Sequence, residues 1–282
     1  MKYNKSLFES IKDSLNKKQT TDNSAFKDIL KMEVGNTYIV RLLPNIEDQE
    51  KTSYHYYTHM WKSRLDNKLV SVLCPNTYEE RCPIDEYRSK IYKADIDTQI
   101  EEIKPLKRNE YWMINCYVIK DPTNPENQGQ VKILRYGKKL QKVIMDAISG
   151  GDSDEFGDKV FDFTPNGCNL KIKVEEVKTG NITYPDYSSS RFQSSSAIEG
   201  LEDTDSVYDM IKPLDTIFKQ QSYAEIQKVL DKDWFCKTSS EPVVSDENDA
   251  EPLPVKKKAF EEPSVTEMAE KDSELDDLLK DL

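Results

Sequence analysis

A histidine and two cysteines are spaced along one stretch of this sequence in the manner of zinc ligands. They are His59, Cys74 and Cys82, and Cys82 opens the tetrapeptide CPID, which ends at Asp85. A zinc knuckle would read CPxC here, so a carboxylate stands in the position of a second thiolate. Carboxylates ligate Zn²⁺ at about 2.0–2.2 Å, although the softer thiolates bind it more tightly. The stretch is therefore a zinc site that uses a carboxylate, a degenerate site or a coincidence of composition.

Cations and aromatic side chains alternate in three other stretches, LKRNEYW, ILRYGKKLQK and TYPDYSSSRF. A protein that holds single-stranded nucleic acid needs cations for the phosphates and flat rings for the bases, at about 1–3 kcal/mol per stacked base. Taken singly, each aromatic residue is more often part of a core. Three such stretches in one strand-rich region favour a stacking groove. Their cations and rings are Lys107, Arg108, Tyr111 and Trp112; Arg135, Tyr136, Lys138, Lys139 and Lys142; and Tyr184, Tyr187, Arg191 and Phe192.

Negative charge is concentrated near the carboxyl-terminal end of the chain. The 282 residues carry a formal net charge of −12, which by itself argues against binding to nucleic acid. From residue 241 onward, however, there are 14 acidic residues and 5 lysines, a net charge of −9 that leaves −3 for the first 240 residues. Residues 129–145 contain five cations and no acid. The sequence therefore predicts a basic face on the body of the protein.

Several functional classes are disfavoured by what the sequence lacks. It contains no phosphate-binding loop, no dinucleotide-binding glycine motif, no nucleophile elbow and no H-E-x-x-H motif, so we expect no enzyme. Residues 1–19 are charged throughout and no run of about 18 apolar residues occurs, so we expect neither secretion nor a membrane span. Five unevenly spaced cysteines then predict reduced thiols or metal ligands rather than disulfides.

Short β-type segments dominate between residues 37 and 177. They read TYIVRLL, YHYYTHMW, LVSVL, YWMINCYVIK, QVKILRY and CNLKIKVEEV, and each is bounded by turn residues. Helices are predicted around residues 84–93 and 138–148, with one or two more in 207–230. The pattern predicts a mainly β protein with helical annexes, an α+β fold built on a small barrel or a twisted antiparallel sheet. Cys116 and Cys168 fall on predicted core strands and are expected to be ordinary buried thiols.

The two ends of the chain differ from this body. SLFESIKDSL places apolar residues on one face of a short helix surrounded by lysines, and the polar stretch KKQTTDNS follows it. Residues 238–266 are rich in Pro, Ser, Glu and Asp, a composition that cannot bury enough apolar surface to fold. The ending DSELDDLLKDL regains a helical apolar pattern. Such an acidic peptide is either a solvated end or a docking element that also competes with DNA.

Motifs along most of the chain resemble a known family. The segment YW…KDPTNPENQGQVKILRYGKK, the stretch FQSSSAI and the ending LDDLLKDL resemble the helix-destabilising single-stranded DNA-binding protein of the T-even-like bacteriophages. The resemblance implies an OB-fold core with an inserted zinc-type subdomain, a basic N-terminal arm and a disordered acidic C-terminal tail. The corresponding boundaries here are 1–22 for the arm, 23–236 for the core with its zinc-type loop at 55–93, and 237–282 for the tail.

The same resemblance implies roles for individual residues. The arm would bind the neighbouring protomer on the strand through Lys2, Lys5 and Ser6, although Tyr3 and Asn4 interrupt its basic run. Bases would stack on Tyr92, Tyr111, Trp112, Tyr136, Tyr184 and Tyr187, and phosphates would meet Lys107, Arg108, Arg135, Lys138 and Lys139. Zn²⁺ would be held by His59, Cys74 and Cys82, with Asp85 in place of the family's fourth ligand, a cysteine. His55 could replace a ligand if its segment is not extended.

The expected function is therefore to coat single-stranded DNA, cooperatively and without sequence specificity, in phage replication, recombination and repair. The acidic tail would recruit phage replication proteins: a polymerase, a primase and helicase, a helicase loader and a recombination mediator. The site of action would be replication forks in the cytoplasm of the infected bacterium. Two alternatives remain open. One is a zinc-ribbon interaction scaffold without DNA binding, and the other is a metal-dependent nuclease, for which the sequence offers no organised set of carboxylates.

Overall fold

The computed structural model describes residues 24–179, 182–201 and 204–237, which lie within one compact unit of the chain. The predicted arm, with Lys2, Lys5 and Ser6, lies outside the described residues, and so does the predicted tail beyond position 237. In the described part of the chain no helix combines the length and the apolar character needed to cross a membrane.

Antiparallel strands form the framework of the described structure. Seven strands make one sheet in the order β3-β2-β4-β1-β6-β9, with β5 paired to the free edge of β4, and β7 and β8 form a separate hairpin. The strands are β1 (Thr37–Leu43), β2 (Ser53–Lys62), β3 (Leu69–Leu73), β4 (Arg108–Lys120), β5 (Val131–Tyr136), β6 (Leu170–Lys173), β7 (Glu175–Thr179), β8 (Ile182–Asp186) and β9 (Arg191–Phe192). The 13-residue strand β4 holds the sheet together, because it pairs with β2 along its first half, with β1 along its second half and with β5 in between.

Helices pack around this sheet. They are α1 (Ser24–Lys27), α2 (Pro83–Ala94), α3 (Asp97–Ile103), α4 (Lys138–Ser149), α5 (Asp205–Tyr208) and α6 (Tyr223–Asp233). Helix α2 begins with a proline in its first turn directly after Cys82, where a missing N–H costs nothing. Helix α6 begins with a capping box in which Ser222 and Glu225 satisfy each other's backbone N–H groups. Short 3-10 helices occupy Gln49–Thr52, Pro75–Tyr78, Lys104–Leu106, Pro125–Asn127 and Gly157–Phe161.

Two of the buried apolar clusters lie where helices pack against the sheet. The first joins β1, β4, β5 and β6 to α4, with alternate residues such as Tyr38, Val40 and Leu42 of β1 pointing into it. The second joins β2 and β3 to α2, α3 and α6, and it includes Trp61, Ile84 and two cysteines. The long strands β2 and β4 therefore connect a sheet core at one end to a helical subdomain at the other.

The mixed α+β class is confirmed, and the predicted segments from TYIVRLL to QVKILRY all form strands. The helices predicted around 84–93 and 138–148 are also confirmed. The prediction of one strand over CNLKIKVEEV is wrong, because the chain leaves the main sheet at Val174 and continues as the hairpin strand β7. The sequence alternates through both strands and so cannot show that they have different pairing partners. Cys116 and Cys168 are buried free thiols, as predicted.

Candidate nucleic-acid interface and metal cluster

An open groove of about 360 Å³ lies where β5 ends and α4 begins. Six of the residues predicted to bind DNA line it together: Tyr111, Arg135, Tyr136, Lys138, Lys139 and Tyr187. Gly137 is the N-cap of α4 and offers no capping side chain, so the groove also borders the positive end of a 12-residue helix. Cations, rings and free helical N–H groups together suit a ligand that is anionic and aromatic.

Arg135 is held in place by two tyrosines. Its guanidinium carbon lies 4.2 Å from the centre of the Tyr111 ring, and its Nε donates a hydrogen bond of 2.6 Å to the hydroxyl of Tyr56. Burial raises the pKa of Tyr56 to about 12, so this hydroxyl stays neutral and accepts the bond. The arginine is therefore fixed at the groove before any ligand binds, which lowers the entropic cost of using it.

The two groove lysines are paired with carboxylates. Lys138 Nζ lies 3.2 Å from Glu110 Oε2, and Lys139 Nζ lies 2.6 Å from Asp186 Oδ1 and 5.5 Å from the centre of the Tyr184 ring. The bond from Lys139 is the main reason why the pKa of Asp186 lies below its usual value. Both lysine side chains remain more than half exposed. A phosphate must therefore compete with these carboxylates for the groove cations.

Replacing Asp186 with asparagine is expected to strengthen binding of single-stranded DNA. The change keeps the side chain's shape and removes the charge that competes for Lys139. Asp186 is buried but Lys139 is half exposed, so solvent screens the pair and it is worth about 1 kcal/mol. The dissociation constant for an oligothymidylate, measured by fluorescence anisotropy at low salt, should fall by up to about fivefold. Glu155→Gln is the matched control, because Glu155 lines a different pocket. Weaker binding by Asp186→Asn would show instead that Asp186 positions Lys139 for the ligand.

A row of stacked rings crosses the sheet beside the groove. His55 of β2, Trp112 of β4 and Tyr136 of β5 are cross-strand neighbours, and we call them the aromatic row. The rings of His55 and Trp112 lie 4.7 Å apart at 13°, and those of Trp112 and Tyr136 lie 6.3 Å apart at 16°. Tyr136 is 6% exposed and belongs to the sheet core, so it offers little surface to a base. Stacking of bases on Tyr136 and Trp112 stays a prediction.

The remaining predicted residues lie outside the groove lining. Arg108 stands over the ring of Tyr57 at 4.5 Å, and its Nη1 is 3.7 Å from Asp85 Oδ2. Lys107 is exposed just before β4, and Tyr92 is an exposed residue of α2 with Arg88 at 5.6 Å from its ring centre. Arg191 lines a separate pocket with three acidic residues, and Phe192 is buried.

Four side chains in the helical subdomain form the metal cluster: His59, Cys74, Cys82 and Asp85. One potential ligand atom from each lies within 4.8 Å of the others. His59 Nε2 is 3.5 Å from Cys82 Sγ and 3.7 Å from Asp85 Oδ1, and Cys74 Sγ is 3.5 Å from Asp85 Oδ2. His59 is fully buried on β2, Cys74 follows β3, and the other two residues flank the start of α2. The predicted residues are thus brought together from three elements.

The surroundings of the metal cluster suit a bound cation. His59 Nδ1 lies 2.8 Å from the Leu106 carbonyl oxygen, so Nδ1 carries the proton and Nε2 keeps a free lone pair towards the cluster. The hydrogen bond from Cys74 is the main cause that lowers the pKa of Cys82 to about 5, whereas the same bond and burial raise the pKa of Cys74. Asn76 Nδ2 donates to Asp85 Oδ2 at 2.7 Å. A soft, oriented and partly deprotonated donor set of this kind can hold Zn²⁺.

His55 is not a substitute ligand, because β2 is extended through both histidines. Four residues of strand place them about 13 Å apart. His55 Nε2 instead lies 2.8 Å from Glu110 Oε1. The sequence reasoning also missed Glu110, Asp186 and Tyr57. For Tyr57 the signal was present in YHYYTHMW: alternate residues of a strand lie on the same face, so His55, Tyr57 and His59 share one face of β2.

An antiparallel sheet with a groove of fixed cations and stacked rings is the arrangement found in proteins that bind single-stranded nucleic acid. The chain belongs to the family described as gp32 DNA binding protein like, which matches residues 33–232. It is 30% identical over 171 residues to the single-stranded DNA-binding protein of Enterobacteria phage T4 and, at the same identity and length, to that of Enterobacteria phage T2. Each match covers 58% of this chain and 53% of the relative, so the chain spans about half the length of these curated relatives.

Proposed function

We propose that this protein binds single-stranded DNA without sequence preference and coats it. The groove carries the proposal, because it combines Arg135, Lys138 and Lys139 with the Tyr111 ring inside the region that the family matches. Phosphates would meet the three cations and bases would stack on the rings, and neither interaction reads sequence. By holding single strands better than duplex, such a protein lowers duplex stability through mass action.

The finer architecture belongs to the same proposal. The sheet centred on β4 is the OB-fold core, and the loop at 55–93 is its zinc-type subdomain. His59, Cys74, Cys82 and Asp85 would hold Zn²⁺, which supplies a structural cross-link and no reaction chemistry. This cross-link ties β2 to the start of α2, next to the cation Arg108 that we expect to meet DNA.

Cooperativity, partners and site of action are proposed on sequence grounds. Lys2, Lys5 and Ser6 would bind a neighbouring protomer, and the acidic tail would recruit replication proteins and compete with DNA for the groove. Replication, recombination and repair at phage replication forks in the host cytoplasm are the processes that such a protein serves. Lys2, Lys5, Ser6 and the acidic tail beyond position 237 lie outside the part of the chain that the structure describes.

Titration with poly-dT is expected to quench the tryptophan fluorescence of the protein. Trp61 and Trp234 are 2% and 4% exposed, so the half-buried Trp112, beside the groove, is the tryptophan whose emission we expect to respond to bound DNA. Trp112→Phe should remove most of the quenching while the protein still folds. Release of counterions from the three groove cations should make log K fall with log salt concentration with a slope of about −2 or steeper. Unquenched fluorescence with no binding in a parallel anisotropy assay would reject DNA binding and favour the interaction scaffold.

A further inference from the structure

The ring of the aromatic row that is exposed to solvent is that of His55, whereas the sequence indicates Trp112 and Tyr136 as the stacking residues. Trp112 is half-buried against the sheet core, and the His55 ring lies almost parallel to it at 4.7 Å. On its other side Trp112 is flanked by the buried Tyr136. The His55 side chain is 41% exposed. Within the row, the flat surface that an unstacked base can reach is therefore the imidazole of His55. Trp112 stacks against one face of this imidazole from the neighbouring strand.

His55 is fixed in this position by three contacts. Trp112 sets the plane of the ring, Glu110 Oε1 lies 2.8 Å from its Nε2, and the Tyr57 ring meets it edge-on at 4.8 Å and 66°. A ring that is already ordered loses little conformational entropy when a ligand stacks on it. Histidine is among the side chains on which bases stack in single-stranded nucleic-acid complexes.

Charges on both sides of His55 continue the cationic surface beyond the groove. Lys138 contacts Glu110 at 3.2 Å on the groove side, and Arg108 stands over Tyr57 at 4.5 Å on the side of the metal cluster. Glu110 itself repels phosphate. A strand that crosses here must therefore place a base over His55 and its phosphates towards Lys138 and Arg108.

We propose that His55 is a base-stacking residue of the DNA surface and that the bound strand runs from the groove across β4 and β2 towards Arg108. This inference rests on the proposed function and deepens it. It assigns a DNA contact to a strand, β2, on which the sequence pointed only to a metal ligand. It also assigns Trp112 the role of a supporting ring that reports on binding through its fluorescence.

The test compares variants of the full-length protein at position 55 in binding to a fluorescein-labelled oligothymidylate, measured by anisotropy. His55→Ala and His55→Gln remove the ring and should weaken binding by about five- to 150-fold, the range that corresponds to one lost stack. His55→Phe keeps a flat ring without the bond to Glu110 and should stay within about twofold of the unchanged protein. Tyr223→Ala, which removes an exposed aromatic residue on α6, is the control that should bind normally.

The outcomes separate this inference from the proposed function. If the unchanged protein does not bind the oligothymidylate, both fail. If it binds and the alanine and glutamine variants bind equally well, DNA binding stands and stacking on His55 is wrong. If the phenylalanine variant is as weak as the alanine variant, the bond to Glu110 is what matters and stacking is again wrong. Thermal unfolding of each variant identifies any that fail to fold. If either His55→Ala or His55→Gln fails to fold, the binding of the other one tests stacking on His55.

Discussion

Tyr111→Ala is expected to lower the affinity for poly-dT by about five- to 150-fold, because it removes a ring that lines the groove. The same ring supports the guanidinium of Arg135 at 4.2 Å, so its loss also frees an arginine that is now held ready for phosphate. Affinity should be measured at two salt concentrations. The charge of Arg135 remains in the variant. We therefore expect the slope of log K against log salt concentration to change by less than about 0.7, which is the change for one lost phosphate contact.

The matched control for this prediction is Tyr111→Phe. It keeps the ring and removes a hydroxyl, so binding within about twofold of the unchanged protein is expected. Tyr111 also packs against the apolar cluster that contains Tyr56 and Met113, and its truncation costs some stability. Thermal unfolding therefore has to accompany the titration. If a folded Tyr111→Ala protein binds poly-dT normally, the groove is not the place where bases stack.

Zn²⁺ is expected to raise the free energy of unfolding by about 2.7 kcal/mol when its free concentration is about 100 times its dissociation constant. The ion would bind a cluster that exists only in the folded chain, since His59, Cys74 and Cys82 come from β2, from the end of β3 and from the start of α2. The measurement is urea unfolding of chelator-treated protein with and without added Zn²⁺. Cys82→Ser and Asp85→Ala should each remove most of the stabilisation.

Two further variants sharpen the zinc experiment. Cys236→Ser removes an exposed thiol outside the metal cluster and should leave the response to Zn²⁺ unchanged. Asp85→Cys supplies a fourth soft ligand and should strengthen zinc binding. If Zn²⁺ stabilises the unchanged protein and Asp85→Ala equally, Asp85 is not a ligand. If Zn²⁺ has no effect on any of them, the subdomain is held by apolar packing alone.

Much of the framework could be predicted from local patterns. The short β-type run TYIVRLL predicts β1 over residues 37–43, and the observed strand occupies the same residues. Helix α4 is predicted to begin at Lys138 and does so, because an apolar stripe of period 3.6 follows a glycine. The seven-residue helix α3 was missed, since DTQIEEI has too few apolar residues to establish a period. Such a helix forms because Ile103 is buried against the helical subdomain, which is a tertiary contact.

The metal cluster shows how far spacing alone can lead. His59, Cys74, Cys82 and Asp85 were selected from the order of residue types, and the structure places one potential ligand atom of each within 4.8 Å of the others. The open question about His55 was decided by backbone geometry, since an extended β2 keeps it away from the cluster. Whether His55 can reach the metal cluster cannot be deduced from residue order alone, because it depends on the backbone conformation of the segment.

By itself, the sequence determined the α+β class, the segregation of charge, the candidate ligands of the metal cluster and the candidate cations and rings of the proposed DNA surface. Only the tertiary structure decided how those groups are partnered. It pairs Lys138 with Glu110 and Lys139 with Asp186, and it lays His55 over Trp112. The physical reason is strand register. Local alternation determines which face of a strand a residue occupies, whereas the neighbour across the sheet is determined by pairing between segments far apart in the chain.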